Sequence, residues 1–182
     1  MFYTILAGRN PEHNTLGSIA TLSIKRALGE TLRRNHPQIR DLHLHLEPGL
    51  GTMAHLVVAI SKGRDTEPME LIDAILKDRA GSIPVSLIVK RVVVVDEDVN
   101  VHDMADVEWA MWTRLARAEK MRTIPNVPSW ELERSAKTGG SLRLAVDATI
   151  DLEDRDKLRR TRIPGAESIR LADYLGDRTA AH

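Results

Sequence analysis

The chain has 182 residues, 42% of them hydrophobic, enough to bury one sizeable core, and its 26 Lys and Arg are balanced by 26 Asp and Glu. That balance removes the global field that would draw a protein to nucleic acid or an anionic membrane, and an aromatic content of 3% leaves little for stacking on bases. Cysteine is absent, which excludes disulfides, thiolate nucleophiles and zinc-thiolate sites and points to a cytoplasmic address.

The opening stretch MFYTILAGRNPEHN has no basic segment followed by an apolar one. No apolar run reaches the roughly 18 residues of a membrane helix, so a soluble protein is expected. Short β-branched runs then alternate with helical patterns. Phe2–Leu6, Leu42–Leu46, Leu56–Ile60 and Val85–Val95 read as strands. The predicted class is α/β, a central sheet flanked by helices.

A first helix is predicted from about Gly17 to Asn35, with Ile19, Leu22, Ile24, Leu28 and Leu32 near a 3.6 period and Pro37 marking its end. Asp65-Thr66-Glu67-Pro68 announces a second, through capping oxygens, early negative charge and a first-turn proline; it is expected to end near Gly81. A third starts after Asp103, with Val107, Ala110, Met111 and Leu115 along one stripe. Trp109 and Trp112 lie off that stripe and are candidates to face a neighbouring element or a partner. Pro125–Gly140 reads as a loop and Leu142–Val146 as a last short strand. We expect one domain over residues 1–182, with 150–182 as a charged tail in which Ile169–Leu175 is a candidate docking helix.

Several residue sets invite a chemical reading. His43, His45 and Glu47 alternate along a predicted strand and share one face, which permits a metal site only where the ligands converge and are supported from behind; no metal ligand is assigned. His13 beside Glu12 is a candidate acid-base pair, although neighbours in an extended loop usually point apart. Ser61-Lys62-Gly63 lacks the glycine-rich lead of a phosphate loop. Asp96, Glu97 and Asp98 crowd the C-terminal end of a valine strand, where ligands gather in open α/β sheets. They could bind a cation or tune one another's pKa, or simply cap the next helix and stay solvated.

The stretch VVVVDEDVNVHDMADVEWAMWTR, Val92–Arg114, resembles a signature of UbiD-family decarboxylases, a valine run leading into an acidic cluster and then a V-E-W-A-x-x-T-R helix. LRLAVDAT, Leu142–Thr149, is similar to that family's strand near its C-terminal end. TILAGRNPEHNTLGSIA, Thr4–Ala20, is similar to the segment with a G-x-x-E-H-x-x-L core that opens the family's second half. The motif positions carried over are Asp96, Glu97, Asp98, Asp106, Glu108, Trp109, Arg114 and Asp147.

The resemblance implies reversible decarboxylation of unsaturated or aromatic acids with prenylated FMN, a divalent metal and potassium. The family's catalytic Arg and Glu residues and its metal ligands lie upstream of the segment matched here, so no catalytic residue is assigned and the cofactor is expected in a partner subunit. Glu12, His13, Leu16 and Leu132 map to the border of the substrate pocket. The loop PNVPSWELERS, Pro125–Ser135, keeps Leu132 and Ser135 of the family's Leu-Asp-Pro-Ser ending but has Glu133 and Arg134 between them. Two readings follow: a small or accessory subunit completed by a cofactor-binding UbiD-like partner or by homo-oligomers, and a non-catalytic interaction or regulatory module with the same fold. A metal hydrolase built on His43, His45 and Asp98 is the remaining alternative.

Overall fold

The computed structural model describes residues 26, 29–45, 54–77, 85–129, 133, 136, 140–158, 161, 163–165 and 168–170. The expected strand Phe2–Leu6 and the greater part of the expected first helix lie outside them. The chain divides into two compact units, Met1–Leu152 and Glu153–His182. No helix among the described residues is long and apolar enough to cross a membrane.

The first unit is built on a five-stranded mixed sheet in the order β1-β2-β3-β5-β4. Strands β1 (Ile39–His45) and β2 (Ala54–Ile60) pair antiparallel, β2 runs parallel to β3 (Val89–Asp96), and β3 runs parallel to β5 (Ser141–Ala148). Strand β4 (Met121–Val127) closes the far edge antiparallel to β5. The centre of the sheet is covered on both sides, so Val92, Val93, Val94 and Val95 are all buried and the strand reads as a continuous apolar run.

One face packs against helix α1 (residues 29–35) and helix α2 (Glu67–Lys77). Leu32, Leu71, Ile72, Ile75 and Leu76 meet Leu42, Leu44, Leu56, Val58, Val92, Val94 and Ala145 there. In the first turn of α2 Glu67 accepts a hydrogen bond from the Gly63 amide (2.9 Å) and Pro68 is buried, while the oxygens expected to cap it turn elsewhere, Asp65 Oδ1 accepting from the Leu152 amide (3.0 Å) and Thr66 Oγ1 from Arg64 (3.3 Å). The opposite face packs against helix α3 (Met104–Arg114) through Val107 and Ala110, on Val57, Ala59, Val93, Val95, Val146 and Ala148. Asp103 caps α3 by accepting from the Ala105 amide (2.9 Å).

The path into α3 decides where its last residue lands. After β3 the chain doubles back along the sheet, bringing the Val101 carbonyl to His45 Nε2 (2.8 Å). Helix α3 then runs in the same sense as β3, with Glu108 3.5 Å from Arg91 near the strand's start and Arg114 against Asp96 at its end.

Two expectations are corrected. Val85–Val95 is not one strand, because Val85–Ile88 forms a single helical turn ahead of β3. Residues 121–127, read partly as loop, form the edge strand β4. The register shifts between Ile124 and Val127, where Pro125 supplies no donor and Asn126 takes φ 58°, so the strand bends at a bulge. In the second unit, Lys157 pairs with Asp154 (2.7 Å), and Ile163 and Ile169 are exposed; residues 171–175 of the expected docking helix lie outside the described ones.

Candidate functional site

Parallel strands β2, β3 and β5 end on one edge of the sheet, and the family-motif residues converge there. Asp96, the last residue of β3, accepts hydrogen bonds from the Ile150 amide (2.7 Å) and from Arg114 NH1 (3.0 Å). Asp98 takes the same guanidinium as a fork, NH1 to Oδ1 at 2.9 Å and NH2 to Oδ2 at 2.7 Å. The Arg114 side chain is buried, with its guanidinium carbon 5.0 Å from the centre of the Trp109 ring. Thus the cation held by the acidic cluster is one the chain supplies itself. Burial raises the Asp96 carboxyl above its ordinary value, outweighing the Ile150 hydrogen bond and the Arg114 charge, which pull it down.

At the end of β5, Asp147 accepts from the Thr149 amide (2.9 Å) and hydroxyl (2.6 Å). Two buried lysines meet on the same threonine. Lys62 Nζ donates to Thr149 Oγ1 and lies 2.8 Å from Asp65, while Lys120 Nζ donates to the Thr149 carbonyl (2.6 Å) and pairs with Asp151 (2.9 Å). The hydrogen bond from Lys62, ahead of the opposing effect of desolvation, holds Asp65 below the usual carboxylate range. These contacts tie the residues following β2, β3 and β5 into one ionic node.

The remaining motif positions sit apart from the node. Glu97 is exposed, 3.7 Å from Arg40; Asp106 accepts from the Asn100 amide (2.7 Å); Glu108 faces Arg91. Glu12, His13, Leu16, Leu132, Glu47 and Trp130 lie outside the described residues. His43 and His45 do share a face, with ring centroids 4.3 Å apart, and His102 joins His43 at 4.6 Å. Among the described residues no three of His, Asp and Glu converge as metal ligands.

The roles of Lys62 and Lys120 leave no mark in the sequence, where Lys62 stands out only within an incomplete phosphate loop, and Thr149 is marked only as the last residue of the LRLAVDAT stretch. A second buried cluster is almost as silent. At the heads of β3 and β5, Glu133 is ringed by Lys90, Ser129, Ser141 and Arg143. Its one sequence signal is Leu142-Arg143-Leu144, whose alternation sends Arg143 to the face opposite its neighbours.

Known proteins share this fold. Residues 18–151 match the model of the 3-octaprenyl-4-hydroxybenzoate carboxy-lyase C-terminal domain, UbiD_C. An anhydromevalonate phosphate decarboxylase of Aeropyrum pernix is 32% identical over 163 residues, 90% of this chain and 34% of that protein. The FMN complex of the UbiD-class enzyme HmfF from Pelotomaculum thermopropionicum superposes with a TM-score of 0.72 at 32% identity, covering 92% of this chain and 35% of that one. An evolved dimeric form of HmfF with prFMN gives a TM-score of 0.62, with 92% and 32% covered. The chain therefore spans about a third of the length of these relatives. On this match over most of its length, the chain belongs to the UbiD family of carboxy-lyases and carries that family's C-terminal domain.

Proposed function

We propose that the chain is the small or accessory subunit of a UbiD-type, prenylated-FMN-dependent carboxy-lyase acting on an aromatic or unsaturated acid. A cofactor-binding UbiD-like partner carries the prenylated FMN, the divalent metal and potassium; this chain contributes the C-terminal domain and, through Glu12, His13, Leu16 and Leu132, part of the substrate-pocket border. The observation that carries the reading is the match of residues 18–151 to the C-terminal domain of carboxy-lyases, together with a relative of which this chain covers 34%. The described cations support it. Lys62, Lys120 and Arg114 are each held by a carboxylate of the chain, so they do not suit the phosphate of a flavin.

The test is co-expression with a cofactor-carrying UbiD-type subunit encoded beside this chain. The two are expected to co-elute, with flavin absorbance and decarboxylation of a panel of aromatic and unsaturated acids requiring both. A flavin spectrum on this chain alone would overturn the division of labour. Binding that leaves the partner's turnover unchanged would favour the interaction or regulatory module instead.

A further inference from the structure

The Glu133 carboxylate sits in a cradle of donors on the face of the sheet that carries α2. Alternation along β5 places Arg143 and Ser141 on the side of Ala145, and Lys90, where the register of β3 against β2 shifts, reaches the same side to donate to Ser141, so the heads of β3 and β5 present their polar groups together. Lys90 Nζ, Ser141 Oγ, Ser129 Oγ and Arg143 NH1 (3.1 Å) all donate to Glu133, and Lys90 also donates to Ser141 Oγ (2.6 Å). Arg143 is completely buried and Glu133 nearly so. A second arm of Arg143 reaches the Pro128 carbonyl (3.3 Å), so one guanidinium holds the chain both where it leaves β4 and five residues later. Burial alone would raise the Glu133 carboxyl, yet these hydrogen bonds and the Arg143 charge hold it down at about 2.

Such a cradle is a built carboxylate site whose occupant is covalently attached. We propose that Glu133 is a positioning residue, a carboxylate latch on the Lys90, Ser129, Ser141 and Arg143 cradle that fixes the chain at Pro128, Glu133 and Ala136 and through it supports the pocket border that the proposed function assigns to Leu132, its immediate neighbour in sequence. The inference rests on the proposed function for the pocket and on geometry alone for the latch. Substrate affinity should then depend on the latch, and the chemical step, supplied elsewhere, should not.

Two measurements separate these parts. In the full chain alone, Glu133→Ala should speed hydrogen exchange at Ala136, whose amide bonds the Glu133 carbonyl (2.9 Å), by about tenfold. Added acetate, a free carboxylate able to enter the emptied cradle, should reverse this where chloride at equal ionic strength does not. Unchanged exchange, or no difference between acetate and chloride, overturns the latch. Should Glu133→Ala fail to fold, the near-isosteric Glu133→Gln decides the same point: faster exchange confined to this segment supports the latch, and a uniform rise across the sheet overturns it. In the assembled enzyme, Glu133→Gln should raise KM about tenfold with kcat nearly unchanged, while Glu133→Asp restores KM. A fall in kcat at constant KM would overturn the positioning role. Failure of the two chains to assemble would count against the subunit reading, and the exchange measurement would still decide the latch.

Discussion

Single residues set how this fold answers to pH. His55, at the head of β2, is buried with Arg91 NH2 2.7 Å from Nδ1, and its pKa falls from 6.5 to about 3, through desolvation first and then the Arg91 and His45 charges. The folded ring stays neutral while the unfolded one takes up a proton below 6.5. Stability contributed by His55 is therefore complete above that pH and is lost as pH falls from 6.5 toward 3, at up to about 1.4 kcal/mol per unit. Urea midpoints at pH 7.5 and 5 should show this loss in the parent and much less of it in His55→Asn; parallel curves for the two would refute it. Asp96 acts in the opposite sense, because its raised carboxyl makes the ionised folded form the costly one.

At the scale of elements, two contacts decide whether α3 and the β4–β5 edge hold their places. Arg114 ends α3 and bonds both Asp96 and Asp98 at the end of β3. Arg114→Ala should leave two half-buried carboxylates without their partner and cost about 3 kcal/mol in chemical denaturation, the low end for breaking a buried pair. Arg114→Lys keeps the charge but cannot fork onto Asp98, so it should fall between. A loss under about 1 kcal/mol for the alanine variant would show the node to be incidental. Gly140 enters β5 at φ 113°, and a Cβ there would lie 2.4 Å from the Val127 carbonyl oxygen. Gly140→Ala should therefore destabilise by more than the roughly 1–3 kcal/mol of backbone strain alone, read from the thermal midpoint.

These elements also differ in how much of themselves they write into the sequence. Strands β2, β3 and β5 and helices α2 and α3 are legible because burial leaves periodic apolar runs and caps leave local polar signals. The Val85–Ile88 turn is not, since its β-branched and apolar residues match a strand equally well. Strand β4 is hidden for the reverse reason: an edge strand exposed over most of its length needs no apolar alternation. The Asp96 and Arg114 contact is not legible either: the motif holds both residues, but eighteen positions of chain separate them and only the fold shows that they meet. Nor is the Glu133 and Arg143 pair, because only the folded sheet brings a loop carboxylate under the head of β5.

For the whole molecule, the question is which surface meets another chain, and the two tryptophans of α3 expected to bear on it part company. Trp109 is partly buried beneath Arg114, so its ring belongs to the fold. Trp112 on the same helix is 86% exposed, and Trp130 lies outside the described residues. An exposed tryptophan on a rigid helix is the kind of side chain that anchors interfaces, since it buries a large area while losing few rotamers. If the chain assembles with a cofactor-carrying partner or with itself through α3, Trp112→Ala should weaken that assembly by about 2 kcal/mol, roughly thirtyfold in Kd. The fold should keep its stability to within about 0.5 kcal/mol, as for a surface substitution. Trp109→Ala should do the converse, lowering the thermal midpoint by removing the ring packed on a buried guanidinium. Light scattering at micromolar concentration, alone and with the neighbouring subunit, reads the first effect and calorimetry the second. A parent chain that remains monomeric in both settings, or a Trp112→Ala variant that assembles as tightly as the parent, would remove α3 from the interface.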